Sequence, residues 1–316
     1  MILFPVFFTQ EKRERGTPKD KLGLRLSARV SRDRLDESLN LFQELPQDEP
    51  GIALSQRIEA WGLQAKGEYD CVTSLLQKSV EIYGKLGFKT GLAWSLKDLG
   101  ESFTDLGPDI TTNSYDAERS LRESLKIADE LADRWLTCEV SVALGDLERF
   151  RGNYEKAAIL YKKSKSLADE LDAKIDIAWA YHGLGHVMLH QRNYCKAYEH
   201  FRRSITLFRT LGEKFGVVKC LFGFGTEAAK RSRSSLERAV QLFSAAEGQD
   251  MSVLAPVERR EYEDTLSLLQ SQLNKEEFEA AWAKGKAMKS LEEAVEYALD
   301  KDAGTSDRFA SSTKLA

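Results

Sequence analysis

Apolar positions in this chain recur at three- and four-residue intervals, the spacing that stacks side chains on one face of a helix. The helical pattern itself repeats. Four stretches align in one frame: LGFKTGLAWSLKDLG from Leu86, LADRWLTCEVSVALG from Leu131, LDAKIDIAWAYHGLG from Leu171 and LGEKFGVVKCLFGFG from Leu211, with starts 45, 40 and 40 residues apart. Gly100, Gly145, Gly185 and Gly225 share a phase, and Ala60 takes that place one period earlier. After each comes a second block in which a small residue, an aromatic or leucine, and then Ser or Ala recur. These are Val72, Leu76 and Ser79; Ala117, Leu121 and Ser124; Ala157, Tyr161 and Ser164; Ala197, Phe201 and Ser204; Ala239, Phe243 and Ala246. The pattern predicts a series of helix hairpins, each with a glycine-bearing first helix and an amphipathic second helix.

A glycine inside a helix costs about 1 kcal/mol relative to alanine. Four in one register need a compensating contact, and close approach of the second helix supplies it. Turn signals separate the two helices at Lys66-Gly67-Glu68-Tyr69, Arg151-Gly152-Asn153-Tyr154 and Gln191-Arg192-Asn193-Tyr194, where Gly and Asn are expected to take the left-handed conformation. In the second repeat the turn is expanded from Gly107 to Tyr115, and its five extra residues account for the single 45-residue spacing.

The leucine-glycine pair, the turn ending in tyrosine and the later small, aromatic and small residues resemble the tetratricopeptide pattern, in its longer bacterial form of about 40 residues per repeat. The resemblance implies an all-α solenoid, a right-handed superhelix of helix hairpins. The expected layout is a poorly ordered basic leader over 1–32 and an array over 33–248, made of a half repeat (a helix over 33–45) and five hairpins. Capping helices follow over 249–302, and a disordered tail over 303–316.

The C-terminal blocks RAVQLFSAAEG, PVERREYEDTLSLLQSQL, NKEEFEAAWAKGKAM and SLEEAVEYAL are similar, in this order, to the end of large bacterial regulators. Those regulators set a STAND-type or predicted-ATPase module before a tetratricopeptide array, often with a LuxR-type DNA-binding domain or a kinase domain attached. The chain carries no GxxxxGK[ST] phosphate loop, and no helix-turn-helix pattern follows Leu299, so the resemblance covers the sensor part alone. Phe278, Trp282, Leu291, Val295 and Leu299 are expected to form the covering face of the cap; were that face left bare, a homodimer would follow.

Composition alters this picture little. With 42% hydrophobic and 30% charged residues the chain reads as folded rather than disordered. Its 46 basic and 50 acidic residues give a net charge of -4, which disfavours a nucleic-acid partner for the chain as a whole. The run 11–34 carries nine basic residues against four acids and reads as a solvated leader rather than a nucleic-acid arm. Cys71, Cys138, Cys195 and Cys220 form no CxxC pair and no metal-ligand spacing, as in a reduced cytoplasmic protein. The apolar stretch 1–8 is too short to span a bilayer, and no membrane association is expected.

Catalytic constellations are missing from the sequence. It shows no GxSxG elbow, no HExxH helix and no dinucleotide fingerprint, so a non-catalytic chain without cofactor is expected. His182, His186 and His190, spaced four apart, stack on one helix face and could hold zinc with Asp146 from a neighbouring repeat. No local carboxylate or cysteine completes a tetrahedron, and the stripe reads as groove lining rather than a metal site.

In stacked hairpins the first helices line the concave side. The repeat phase therefore nominates Arg57, Trp61, Gln64, Trp94, Lys97, Glu101, Asp146, Arg149, Trp179, His182, His186, Leu189, Lys219 and Phe222 as partner-binding residues. Trp61, Trp94 and Trp179 would anchor a partner if accessible, or else join the core between repeats. Arg57 with Trp61, Lys97 with Glu101 and Val142 with Asp146 break the pattern of the clamp that holds chaperone C-termini. The expected function is a scaffold that binds a protein or peptide in this groove. The alternative is a ligand- or inhibitor-sensing module of a bacterial signalling or transcriptional regulator, working with a separate ATPase or DNA-binding partner.

Overall fold

The structure, a computed structural model, describes residues 49–107, 111–249 and 251–300. The expected basic leader, the helix over 33–45 and the polar tail lie outside the described residues. Among those described, thirteen α-helices form and no strand does, so the all-α helical-repeat fold expected from the periodicity is the fold observed. The first helices of successive hairpins are α1 (Glu49–Lys66), α3 (Lys89–Leu106), α5 (Arg134–Phe150), α7 (Lys174–His190) and α9 (Lys214–Arg231). The second helices are α2 (Val72–Lys85), α4 (Thr111–Glu130), α6 (Tyr154–Glu170), α8 (Tyr194–Leu211) and α10 (Leu236–Glu247). Then come α11 (Pro256–Gln272), α12 (Lys275–Lys286) and α13 (Leu291–Leu299). No helix among the described residues is long and apolar enough to cross a membrane.

The chain divides into two compact units, Met1–Asp98 and Leu99–Ala316, with the boundary inside α3. In the first, α1 packs against α2. Ser79 donates to the carbonyl of Ala53 at 2.8 Å, and its hydroxyl also meets that of Ser95 at 2.9 Å, so one buried side chain ties three helices. The Tyr83 ring lies where Gly91 has no side chain; a Cβ there would sit 2.7 Å from it.

In the second unit, consecutive helices pack in order from α6 to α10, and the first helices α5, α7 and α9 also touch in succession. The register glycines explain how. A Cβ on Gly100 would lie 2.5 Å from Leu121, on Gly145 2.7 Å from Tyr161, on Gly185 2.6 Å from Phe201 and on Gly225 2.5 Å from Phe243. Each second helix thus drives its fully buried large side chain into the space its own first helix leaves open. Tyr161 and Phe201 also press on Gly183 and Gly223 of the following repeat, so each ring joins two hairpins. Burying such a ring contributes roughly 1.5–3 kcal/mol, more than the ~1 kcal/mol a helical glycine loses.

A second pair of positions trades volume along the repeats. Phe208 faces Gly216, as Tyr83 faces Gly91 in the first unit, whereas the same phases elsewhere hold Ala128 with Leu136 and Ala168 with Asp176, all buried. Large meets small in three of the four, as close packing demands, and Ala168 with Asp176 sets two small residues together. Ser204 donates to Ala178 O at 2.8 Å and accepts from the Cys220 thiol at 3.2 Å, repeating the serine tie of the first unit.

Two local expectations are corrected. In the turn Gln191-Arg192-Asn193 the left-handed residue is Arg192 (φ 57°), in phase with Gly152 (φ 79°), while Asn193 has φ -92° and caps α8 through Lys196 N. The phase of the turn decides which residue turns left-handed, and it overrides the preference of asparagine. The long turn after Gly107 was expected to run through Tyr115, yet α4 already begins at Thr111, so part of the insertion extends a helix. Arg151 holds that extension by donating to Ser114 Oγ and Ser114 O, each at 2.7 Å.

The last two helices close the end of the array. α12 lies on α10, with Gly285 against the Gln241 backbone and Ser244 donating to Trp282 O at 2.8 Å. α13 is tied down by Arg238, which donates to Tyr297 O and Ala298 O, and by Tyr198, which donates to Leu299 O. Phe278, Trp282, Leu291, Val295 and Leu299 all join the core there.

Candidate functional site

Expected lining residues of the first unit are largely engaged with one another. Arg57 is buried and donates through Nε and Nη2 to Asp98 at 2.9 and 2.7 Å, with its guanidinium 4.8 Å over the Trp61 ring. Lys97, also buried, reaches the other Asp98 oxygen at 3.6 Å. Trp61, Gln64 and Trp94 remain partly exposed.

In the second unit the first helices bring together Asp146, Arg149, His182, His186, Lys219 and Phe222, all nominated by phase, and Glu101 stands beside Asp105 on the same face of α3. Trp179 is core instead. Its ring meets Phe208 edge-on at 4.7 Å, with Lys219 Nζ 5.9 Å from its centre. Leu189 is buried in the same cluster. His182 and His186 pack edge-to-face at 4.7 Å, and both abut Phe201. His190 stacks on Tyr154 at 4.4 Å. Among the described residues no group of three or more His, Cys, Asp or Glu is arranged to hold a metal.

The feature that sequence reading missed is α11. It was expected to cap the array, yet its first two turns lie across the faces of three first helices. Glu258 Oε2 accepts from Lys219 Nζ of α9 at 2.7 Å, and Glu261 Oε2 accepts from Arg149 Nη1 of α5 at 3.4 Å. Arg260 donates to Leu106 O, the end of α3, at 2.9 Å. Gly107, at φ 98°, leaves room there for the Arg260 guanidinium and Val257, a space any side chain would fill. Tyr262 wedges edge-on against Phe222 at 5.2 Å and Phe243 at 5.0 Å. Local sequence explains why the helix starts where it does. Pro256 is fixed for a first helical turn, and Glu258 accepts from the backbone N–H of Ala255 at 3.0 Å.

Burial and charge act together at this face. Burial pushes His182 down to about 3, helped by the Lys219 and Arg149 charges, so its ring is neutral. His186 lies well below the usual range for the same reason, reinforced by Arg149 and the neighbouring histidines, and His190 is lowered to about 4. Asp105 is raised well above the ordinary carboxylate range by burial, against the pull of Lys219 and with the push of Glu258, Glu101 and Asp146. Asp146 is also raised by burial, although Arg149 and a 2.6 Å hydrogen bond from Tyr161 oppose the rise. Burial opposes charge on Glu258 too, but Lys219, Arg149 and the Ala255 N–H together hold it low. The arrangement is a set of two cations, Arg149 and Lys219, and five acidic groups, partly sealed by α11, with neutral imidazoles beneath. A search of protein-family models finds none that matches this chain, and no curated protein matches it.

Proposed function

We propose that this chain is a non-catalytic, cytoplasmic interaction scaffold of the tetratricopeptide kind, and that it binds a protein or peptide along the faces of its first helices. One observation carries the reading: those faces already accommodate a helix, α11, through two ion pairs and an aromatic wedge. A wall that matches a helix by charge and by pocket has the chemistry of helix-in-groove recognition. The ionisable groups support it as well. Lys219 and Arg149 are engaged by Glu258 and Glu261 across helix boundaries, the pairing that recognition of a charged helix would use.

A second reading, a sensing module of a bacterial regulator, is supported by the four C-terminal blocks, which fall in order on α10 to α13. There a ligand or inhibitor would act by biasing how the array docks on a separate ATPase or DNA-binding partner.

Panning a displayed peptide library on the purified full chain tests the scaffold reading. Peptides should be enriched on wild type and lost on Arg149→Ala/Lys219→Ala, with circular dichroism checking that the variant stays helical. Absence of enrichment, or equal binding to the folded variant, removes the basis for the proposal.

A further inference from the structure

α10 and α12 pack directly on each other, although α11 stands between them in the chain. α12 and α13 are fixed to α8, α9 and α10 by bonds of their own. At either end of α11 the backbone is extended, at Ala255 (ψ 157°) and at Leu273 and Asn274 (ψ 148° and 166°), which is how a hinge on each side would be built. The helix buries only Val257, Tyr262, Thr265 and Leu269, while Glu263, Asp264, Ser267, Leu268 and Gln270 face outward. Its hold on the first helices is two ion pairs, one arginine bond and one ring, and an element anchored in this way opens locally before the array unfolds.

Its fit is also incomplete. Arg149 has a side chain only 2% exposed, yet what it donates to α11 is one long bond, 3.4 Å to Glu261, whose own side chain is 43% exposed. Arg149 Nε has no hydrogen-bond partner, the nearest carboxylate oxygen being Asp146 Oδ1 at 3.8 Å. Tyr262 Oη and His182 Nε2 are likewise buried without a partner. A guanidinium is built for two parallel bonds to one carboxylate, so a ligand that delivered both would hold this face better than α11 does.

We propose that α11 is a displaceable internal occupant of the partner-binding face, and that the partner replacing it presents an acidic helix. Its carboxylates stand three residues apart, followed directly by an aromatic, as Glu258, Glu261 and Tyr262 do in α11. Lys219 takes the first carboxylate, Arg149 takes the second in bidentate fashion, and the Phe222–Phe243 notch takes the ring. This rests on the scaffold reading and narrows it, because it fixes the partner's charge and makes its access conditional on α11 leaving.

The test uses the full chain and a labelled synthetic peptide of residues 256–273. Neutralising the internal anchors with Glu258→Gln/Glu261→Gln frees the face, and the peptide should then bind at least about tenfold more tightly than to wild type, since a larger fraction of the chain is competent. Adding Lys219→Glu should erase that gain, and a peptide carrying Glu258→Lys should restore it. Equal affinity for wild type and the freed chain, or indifference to Lys219→Glu, overturns the proposal. Hydrogen exchange on wild type gives a reading independent of any variant's folding: amides of α11 should exchange at least about tenfold faster than those of α7. Equal protection overturns displacement even where library peptides bind, which leaves the scaffold reading intact. Rapid exchange of α11 with no peptide of any sequence bound overturns both.

Discussion

Replacing His182 with phenylalanine should make the protein less sensitive to acid. Phenylalanine is the residue the next repeat carries at the same phase, Phe222, so the position tolerates an aromatic of this shape. The folded chain holds His182 near a pKa of about 3, whereas the unfolded chain titrates it near the ordinary value of 6.5. The folded value is the depressed one, so below pH ~6.5 the unfolded state takes up a proton that the folded state refuses, and stability is lost as pH falls toward 3. Between pH ~7.5 and ~5 the loss amounts to about one and a half pH units of unequal proton binding, roughly 2 kcal/mol. Asp105 and Asp146 act in the opposite sense, because their folded values are raised and their contribution grows as pH falls. The wild-type profile alone therefore mixes signs, and the difference between wild type and His182→Phe isolates the histidine. Urea unfolding followed by circular dichroism at the two pH values measures it. The gap should move by about 2 kcal/mol in favour of the variant at the lower pH. Parallel profiles would refute the claim that this imidazole is buried neutral.

Other substitutions test the packing and the pairs. Gly185→Ala should destabilise by about 1–2 kcal/mol in chemical denaturation, because overpacking against Phe201 exceeds the ~1 kcal/mol gained in helix propensity. Gly84→Ala, where nothing lies within 4 Å of the new methyl, should stabilise instead. Ala132, Asp172 and Arg192 sit at φ 49°, 50° and 57°, so glycine at each should raise stability by about 0.5–1 kcal/mol; a loss at all three would show these turns to be unstrained. Lys219→Met takes the ammonium from Glu258, which keeps the Ala255 N–H, and should cost about 1–3 kcal/mol, much of which Glu258→Gln in the same chain restores. A double-mutant cycle with no coupling would mean that the pair contributes nothing.

What the amino-acid order discloses and what it hides divide along the repeat itself. Gly145 with Tyr161 and Gly185 with Phe201 can be matched from the chain's periodicity alone, because a contact repeated every 40 residues leaves the same mark each time. Phase also brings Asp146, Arg149, His182, His186 and Lys219 to one face. It is silent on what covers them, and on whether Trp179 and Leu189 lie in the groove or in the core, since both follow from the size of neighbours such as Phe208 and Phe215. The start of α4 at Thr111 is hidden for a related reason: an insertion has no counterpart to be aligned with.

α11 is the extreme case. Arg149 meets Glu261 across 112 residues and Lys219 meets Glu258 across 39, and neither carboxylate belongs to a repeat, so no periodicity predicts the pairing. A charge-rich lining on the first helices is nevertheless an indication in its own right. Lys219 and Arg149 are too buried to be left to solvent, so the chain has to supply acids from somewhere, and the array's own Asp146 approaches Arg149 Nε no closer than 3.8 Å. The aperiodic segment is therefore the one that completes the periodic wall, and a partner able to supply those acids with better geometry competes with it on chemical grounds alone.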